Sequence, residues 1–231
     1  LWLPVFLVLI LILPANFSTT AIIFSMVLML TFLGGYPIKY LLGIIATGVL
    51  ALTFFILVAK AFPDAFPNRV ETWVSRVDNF FSKEEKDQFS DENYQIEKAK
   101  TAIATGFPIG VGPGKSKQKN FLPQSSSDFI FAIIVEETGL IGGLGLILSY
   151  LLLLFRIMVV ANKGKDIFAK LLAVGVGLPI VFQAFINMAV AVELFPVTGQ
   201  TLPLISSGGT SIWMTCLAIG IILSVSANRT V

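Results

Sequence analysis

Asp128 ends the run Ser125-Ser126-Ser127 and directly precedes an apolar stretch that starts at Phe129. A carboxylate in that position can cap a helix by accepting backbone N–H bonds, and the helix dipole favours it there. It can also act as a general base that takes a proton from an incoming hydroxyl. Residue type and position alone favour the cap. Because the chain has no histidine, a carboxylate is nevertheless its best candidate for a general base.

Three lysines follow a glycine-rich turn shortly before that aspartate. The turn is Gly110-Val111-Gly112-Pro113-Gly114, and Lys115, Lys117 and Lys119 come after it at alternate positions. The segment fails the P-loop pattern because Ile109 stands where that motif needs its first glycine. Exposed backbone N–H groups and lysines could hold a phosphate or diphosphate. A basic loop that meets anionic lipid headgroups is an equally good interpretation of the spacing.

Two further acids, Glu136 and Glu137, lie eight and nine residues beyond Asp128. A helix would carry them roughly 12 to 14 Å deeper, and at about 100° per residue the three carboxylates cannot share one face. A buried acid in a membrane span is costly and is by default functional or paired. We therefore interpret Glu136 and Glu137 as structural or proton-relay acids, and we expect at least one to pair with a basic residue elsewhere.

Several other polar and small residues have a plain structural interpretation. Gly139 and Gly143 form a Gly-x-x-x-Gly pattern that permits close helix packing. Gln183 and Asn187 share one helix face and are expected to act as packing contacts. Small residues at 139–145 and 173–177 would also permit a groove between helices.

The residue types restrict metal chemistry. Cys216 is the only cysteine and there is no histidine, so thiolate and imidazole sites are excluded. A divalent cation, Mg²⁺ or Mn²⁺, stays open as a cofactor, with Asp128 and loop acids as its only ligands. Arg69 and Arg76, seven residues apart, could bind an anion on one helix face; solvated ion pairs explain them equally well.

The composition assigns these residues to a membrane protein. Of the 231 residues, 55% are apolar and 13% charged, and the mean hydropathy is +0.86. Residues 63–128 hold 19 of the 30 charged residues. A soluble domain has roughly 25% charged residues, so a soluble enzyme, a disordered tail and a disulfide-stapled domain are excluded. The net charge of +2 gives no reason to expect a nucleic acid partner.

Apolar runs predict an all-α polytopic membrane protein with a single membrane domain over 1–231. A partial first helix at 1–13 precedes five full spans at 18–34, 40–62, 129–157, 168–192 and 210–227. The segment 63–128 forms a large outer loop between the third and fourth helical segments, and 193–209 forms a short one. Because the chain starts with Leu1 inside an apolar run, we interpret it as a fragment that begins within a helix.

Basic residues near the span ends predict the orientation. Lys39, the group from Arg156 to Lys170, and Arg229 lie in alternate connections, which places all three on one side. The positive-inside rule makes that side cytoplasmic. The C-terminus is then cytoplasmic, and the loops 63–128 and 193–209 are extracytoplasmic, where any chemistry should occur.

Two long motifs resemble the SEDS family, to which FtsW, RodA and SpoVE belong. The first is the run 110–139, from Gly-Val-Gly-Pro-Gly-Lys-Ser to Val-Glu-Glu-Thr-Gly, and the second is 195–211, Phe-Pro-Val-Thr-Gly-Gln-Thr-Leu-Pro-Leu-Ile-Ser-Ser-Gly-Gly-Thr-Ser. A looser match covers 14–20, and the resemblance extends over essentially the whole chain. It implies ten spanning helices, of which this chain holds the end of the fifth through the tenth.

The resemblance also implies a function and a location. Family members polymerise lipid II into glycan strands at the outer face of the bacterial inner membrane. They work beside a class B penicillin-binding transpeptidase, and for a division protein other divisome membrane proteins are further partners. The reaction joins a sugar 4-hydroxyl to the anomeric carbon of a second lipid II and releases a polyprenyl diphosphate.

Specific residues match the family's functional positions. Asp128 falls on the essential outer-loop aspartate, which implies a catalytic base even if it also caps a helix. The resemblance and the basic loop together imply a set of residues that bind the sugar and the diphosphate. These are Arg76, Tyr94, Gln95, Lys115, Lys117, Lys119, Ser206 and Gly208.

This chain departs from the family pattern at several positions. Thr198 stands where many relatives have lysine, Ser207 where they have tyrosine, Phe107 where they have glycine, and Lys98-Ala99 where they have Gln-Ser. The loop lysines could compensate for the lysine absent at 198. The Pro-Gly-Lys-Ser and Thr-Gly-Gln-Thr variants favour an FtsW-like division protein. A lipid II flippase and a non-catalytic scaffold that recruits the transpeptidase are the alternatives.

Overall fold

Apolar helices make up most of the computed structural model, which describes residues 2–61, 91–123 and 125–227. The chain divides into two units, Leu1–Ser82 and Lys83–Val231. Arg69 and Arg76 lie outside the described residues. The candidate residues that the structure describes all belong to the second unit.

The described residues of the first unit form three helices: α1 (Trp2–Ile12), α2 (Phe17–Leu33) and α3 (Ile38–Ala61). Asn16 starts α2, because its side chain accepts a hydrogen bond from Thr19 N at 3.0 Å. The Phe6 and Phe24 rings lie 6.4 Å apart and join α1 to α2. A Cβ at Gly48 of α3 would lie 3.1 Å from the Phe24 ring, so α3 approaches α2 there.

In the second unit, the part that the structure describes has four long helices: α4 (Asp91–Gly106), α5 (Ile130–Asn162), α6 (Ile167–Ala191) and α7 (Gly209–Ala227). A short 3₁₀ helix covers Gln118–Asn120. The core lies where α5 packs against α4 and α6, with α7 against α6. Asp166 caps α6 by accepting from Ala169 N at 2.7 Å.

The all-α membrane fold is confirmed. Within residues 2–61, 91–123 and 125–227, four helices are long and apolar enough to cross a bilayer: Ile38–Val58, Ile130–Asn162, Ile167–Ala191 and Gly209–Ala227. The predicted span at 18–34 corresponds to α2, a shorter apolar helix of 17 residues. The long outer loop contains a helix that the sequence did not predict, α4. Its buried residues Ala99 and Ala102 and its last residue Gly106 form a small-residue face, which allows close packing on α5.

The helix α5 is interrupted at Gly139, which has φ 69° and ψ −159°. A Cβ at this position would collide with Pro108 O, so residue 139 needs both the positive φ and the missing side chain. The atoms nearest to Gly143 belong to Val135 and Phe131 of its own helix. The Gly-x-x-x-Gly prediction was therefore wrong about the partner, because Gly139 receives a loop rather than another helix.

Close packing between helices instead occurs at Gly177 of α6. A Cβ there would lie 2.7 Å from Ile157 Cδ1 of α5, and both Gly177 and its neighbour Ala173 are buried. The predicted groove along 173–177 is therefore wrong, because the side chain of Ile157 fills that space.

Candidate functional site

Asp128 lies two residues before α5 and is half-buried. The N-cap residue of α5 is Phe129, which makes no side-chain capping bond, and Asp128 Oδ1 accepts from Ser127 Oγ at 2.8 Å. The expected cap at Asp128 is therefore wrong. A carboxylate has about four acceptor positions, so a single hydroxyl partner leaves capacity for a substrate hydroxyl.

The backbone of Asp128 is fixed from α6. Asn187, 1% exposed, donates from Nδ2 to Asp128 O at 2.7 Å and to Gln200 O at 2.7 Å. One turn earlier, Gln183 Nε2 donates to Thr201 O at 3.1 Å. The i, i+4 pair therefore acts as a packing contact, and it ties the short outer loop and the start of α5 to one face of α6.

Two serines of the short outer loop hold the residues just before Asp128. Ser206 Oγ donates to Ser127 O at 2.6 Å and accepts from Leu202 N at 2.6 Å. Ser207 donates to Ser126 O from both its backbone N, at 2.9 Å, and its hydroxyl, at 3.0 Å. Since Ser206 is buried and both its bonds are internal, it supports the site from within. The substrate contact that the resemblance implies for it stays a prediction.

Glycines keep the carboxylate accessible on the side of the short loop. Gly199 has φ 65°, and a Cβ on it would lie 3.6 Å from Asp128 Oδ2. Any larger side chain at 199 would extend from that point beside the carboxylate. Gly208 is half-buried, and a Cβ there would meet Ser211 Cβ at 3.4 Å. Gly208 thus packs beside Ser211 at the end of the short loop, while Gly199 of the same loop lies next to the Asp128 carboxylate.

Glu136 is fully buried and is bound by the basic loop. Its carboxylate accepts from Ser116 Oγ in a close hydrogen bond, from Lys117 N at 3.1 Å and from Gln118 N at 3.4 Å. The expectation of a basic side chain as its partner is not met within the described residues. A hydroxyl and two backbone N–H groups satisfy the acid instead. Glu137 is half-buried beside it.

Three N–H groups of the glycine-rich turn are already taken by helix carbonyls. Val111 N donates to Glu136 O at 2.9 Å, Gly112 N to Glu137 O at 3.0 Å, and Gly110 N to Gly106 O at 2.7 Å. The turn therefore offers an anion fewer backbone donors than its sequence predicts. The exposed side chains of Lys115, Lys117 and Lys119 are what the loop offers an anion.

The helix α4 adds a cation that the sequence patterns did not single out. Lys98 Nζ lies 5.3 Å from the centroid of the Tyr94 ring and 5.8 Å from that of Phe121, within cation–π range. Tyr94 is 40% exposed and Gln95 is half-buried. The four-residue spacing of Tyr94 and Lys98 was the available signal. Lys100, further along α4, forms an ion pair with Glu193 of the short outer loop.

The described residues do not form a protein cage for a metal ion. They contain no group of three or more His, Cys, Asp or Glu side chains suited to that role. A divalent Mg²⁺ ion needs about six oxygen ligands, and Asp128 supplies at most two. A cation at this position would take most of its ligands from the substrate or from water.

The family model for the FtsW, RodA and SpoVE cell cycle proteins matches residues 1–231. Among curated relatives, the probable peptidoglycan glycosyltransferase FtsW of Xanthomonas oryzae is 35% identical, over 96% of this chain and 45% of its own length. That of Marinobacter nauticus is 37% identical, over 95% of this chain and 53% of its own. The chain thus spans about half the length of the curated relatives it matches.

Solved structures show the same fold. One is the structure of a peptidoglycan synthase complex that coordinates polymerization and crosslinking. The matching chain is 27% identical, with a TM-score of 0.67, over 95% of this chain and 58% of its own length. A mutant of the rod shape-determining protein RodA of Thermus thermophilus is 24% identical with a TM-score of 0.61, over 97% of this chain and 54% of its own. The second likeness concerns the fold alone.

Proposed function

Because the chain belongs to the FtsW, RodA and SpoVE family of cell cycle proteins, we propose that the protein is a peptidoglycan glycosyltransferase that polymerises lipid II during cell division. The observation that carries the proposal is that Asp128 has a fixed backbone and an accessible carboxylate. Its backbone is held by Asn187, its carboxylate has a hydroxyl partner in place of a helix to cap, and Gly199 leaves the Oδ2 side open. A rigid support with an accessible acceptor is what a general base needs.

The proposed reaction is a glycosyl transfer. Asp128 takes the proton of the 4-hydroxyl of one lipid-linked disaccharide, and that oxygen attacks the anomeric carbon of another. The bond from the anomeric carbon to the diphosphate breaks, and the polyprenyl diphosphate leaves with the electron pair. Negative charge grows on this leaving group, and the exposed side chains of Lys115, Lys117 and Lys119 would stabilise it. By resemblance, Arg76 would assist and Tyr94 and Gln95 would contact the substrate.

The surroundings follow from the same proposal. We place the protein in the bacterial inner membrane, with 63–128 and 193–209 extracytoplasmic and the C-terminus cytoplasmic. A class B penicillin-binding transpeptidase is the proposed partner, together with other divisome membrane proteins. The 27% identical structure, a peptidoglycan synthase complex that coordinates polymerization and crosslinking, supports this partnership. The relatives named FtsW support division over elongation.

The flippase alternative finds less support among the described residues. It would use deep polar side chains along a path through the membrane. Glu136 is engaged by the basic loop, Gln183 and Asn187 by the short outer loop, and Glu193 by Lys100. These groups support the outer surface instead. A scaffold would tolerate the loss of Asp128, which makes that residue decisive.

The test is a lipid II polymerisation assay on the full-length protein purified with its transpeptidase, comparing wild type with Asp128→Asn. We expect the variant to lose about 10²- to 10⁴-fold in rate, the usual contribution of a general base. Asp166→Asn is the matched control, because asparagine can also cap α6 and position 166 is outside the site. Polymerisation by Asp128→Asn at the wild-type rate would refute the assignment of the base. Wild type that makes no glycan from supplied lipid II would refute the polymerase.

A further inference from the structure

The basic loop is built around an acid of the protein itself. Three donors of residues 116–118 converge on the carboxylate of Glu136, which is 0% exposed. Ser116 Oγ also accepts from Lys119 N at 3.1 Å. The carboxylate therefore takes the donors that a bound anion would take in a loop of this kind.

The same contacts set which side chains point outward. Ser116 and Gln118 are half-buried towards Glu136, while Lys115, Lys117 and Lys119 between them are exposed. Lys117 has helical backbone angles (φ −84°, ψ −37°) and Gln118–Asn120 form the 3₁₀ helix, so this turn is compact. Its bonds to Glu136 hold the backbone at 116–118, with the three lysine side chains left exposed. An unanchored loop would have no fixed face.

The break in α5 supplies the second anchor. With the helix interrupted at Gly139, the carbonyls of Glu136 and Glu137 accept from Val111 N and Gly112 N, and Leu140 N donates to Pro108 O at 2.9 Å. The start and the end of the loop thus attach to the same short stretch of α5 that follows Asp128. The loop that carries the lysines is thus attached to the helix that begins two residues after Asp128.

We infer that Glu136 is a positioning residue that fixes the row Lys115, Lys117 and Lys119 so that it binds the diphosphate of the substrate. The inference rests on the proposed function and assigns no proton transfer to Glu136. It predicts that loss of the carboxylate weakens diphosphate binding more than it slows the chemical step, because Asp128 keeps its own supports.

The experiment compares Glu136→Ala, Glu136→Gln and Ser116→Ala with wild type, in the full-length protein with its transpeptidase. Glu97→Gln is the matched control, since Glu97 is an exposed acid on α4. Three readouts are measured: tryptic cleavage after residues 115–119, binding of inorganic diphosphate, and KM and kcat with lipid II.

For Glu136→Ala we expect cleavage about tenfold faster, because proteolysis follows the population of the opened loop and one or two lost hydrogen bonds shift it by that factor. Diphosphate binding should weaken and KM should rise about tenfold, with kcat changed by less than about threefold. Glu136→Gln and Ser116→Ala should give smaller changes in the same direction. Their double variant should fall short of additivity because both remove one shared bond.

Unchanged cleavage and diphosphate binding in Glu136→Gln and Ser116→Ala would overturn the inference, and so would a fall in kcat at constant KM, which would indicate a proton relay. If Glu136→Ala does not fold, those two variants decide, because neither opens a cavity of that size. Wild type that makes no glycan would defeat the polymerase proposal; cleavage and diphosphate binding would still judge the role of Glu136.

Discussion

The two units of the chain use polar side chains in different ways. In the first unit hydroxyls bond within their own helix, as Ser25 does to Ala21 O and Thr47 to Gly43 O. In the second unit Asn187, Ser206 and Glu136 join segments that are far apart in sequence. Burial rises in parallel, from 6% of the apolar stretch of α3 to 11%, 22% and 44% of those of α7, α5 and α6. Hydropathy suffices to make a span, whereas a shaped outer surface needs long-range polar contacts.

The largest contrast should come from glycines. Gly139→Ala places a Cβ against Pro108 O at a positive φ, and we expect it to lower the free energy of unfolding by about 3 to 6 kcal/mol. Gly43→Ala in α3 meets nothing within 4 Å, so it should be neutral or slightly stabilising. Unfolding by SDS titration in detergent measures both. If the two substitutions changed the free energy of unfolding equally, the proposed difference between the two units would be wrong.

Two asparagines give the next contrast. Asn187→Leu removes the donor to Asp128 O and Gln200 O, and should cost about 2 to 4 kcal/mol. It should also lower kcat by about 10²-fold through misplacement of Asp128. Asn16→Ala removes only a local helix cap and should cost about 1 kcal/mol. Polymerisation and unfolding assays on both variants check this, and a normal kcat in Asn187→Leu would contradict it.

Serine hydroxyls sharpen the comparison at a smaller scale. Ser206→Ala leaves Leu202 N and Ser127 O without their hydroxyl partner, with an expected cost of about 1 to 3 kcal/mol and reduced activity. Ser25→Ala removes an exposed bond within α2 and should change stability by less than about 0.5 kcal/mol. Thermal unfolding followed by tryptophan fluorescence distinguishes the two outcomes.

The smallest effect is expected at the ion pair between α4 and the short outer loop. Lys100 and Glu193 have side chains 51% and 24% exposed, so solvent screens the pair. Lys100→Ala should cost about 0 to 1 kcal/mol, and the difference from wild type should vanish in high salt. A cost that persists at high salt would mean that Lys100 acts through packing instead.

Sequence predicts the spans well and the supports of the site poorly. A run of apolar residues is enough to predict α3, α5, α6 and α7, because a helix that crosses a bilayer needs mainly sufficient length and hydropathy. The position of Asp128 just before the apolar helix α5 was likewise predicted correctly. The helix α4 was not, since its signal is a short face of small residues inside a charged loop.

The errors at the site share one physical cause. Local rules predicted a cap at Asp128 and free N–H groups in the glycine turn. In the structure, residues 126–128 are bonded to Ser206, Ser207 and Asn187, and the turn is bonded to 136–137. Contacts between residues tens of positions apart determined these hydrogen bonds in place of the local capping and turn preferences. A single sequence does not reveal which distant residues will be in contact.

The distances along the chain also imply an order of assembly during synthesis. The partners of Asp128 O and Ser127 O, Asn187 and Ser206, follow them by 59 and 79 residues. A ribosome therefore delivers the proposed catalytic aspartate well before the residues that immobilise it. At about 5 to 20 residues per second, several seconds pass between the synthesis of Asp128 and that of Asn187 and Ser206. A chaperone or protease that surveys nascent membrane proteins would meet the segment around Asp128 in that interval.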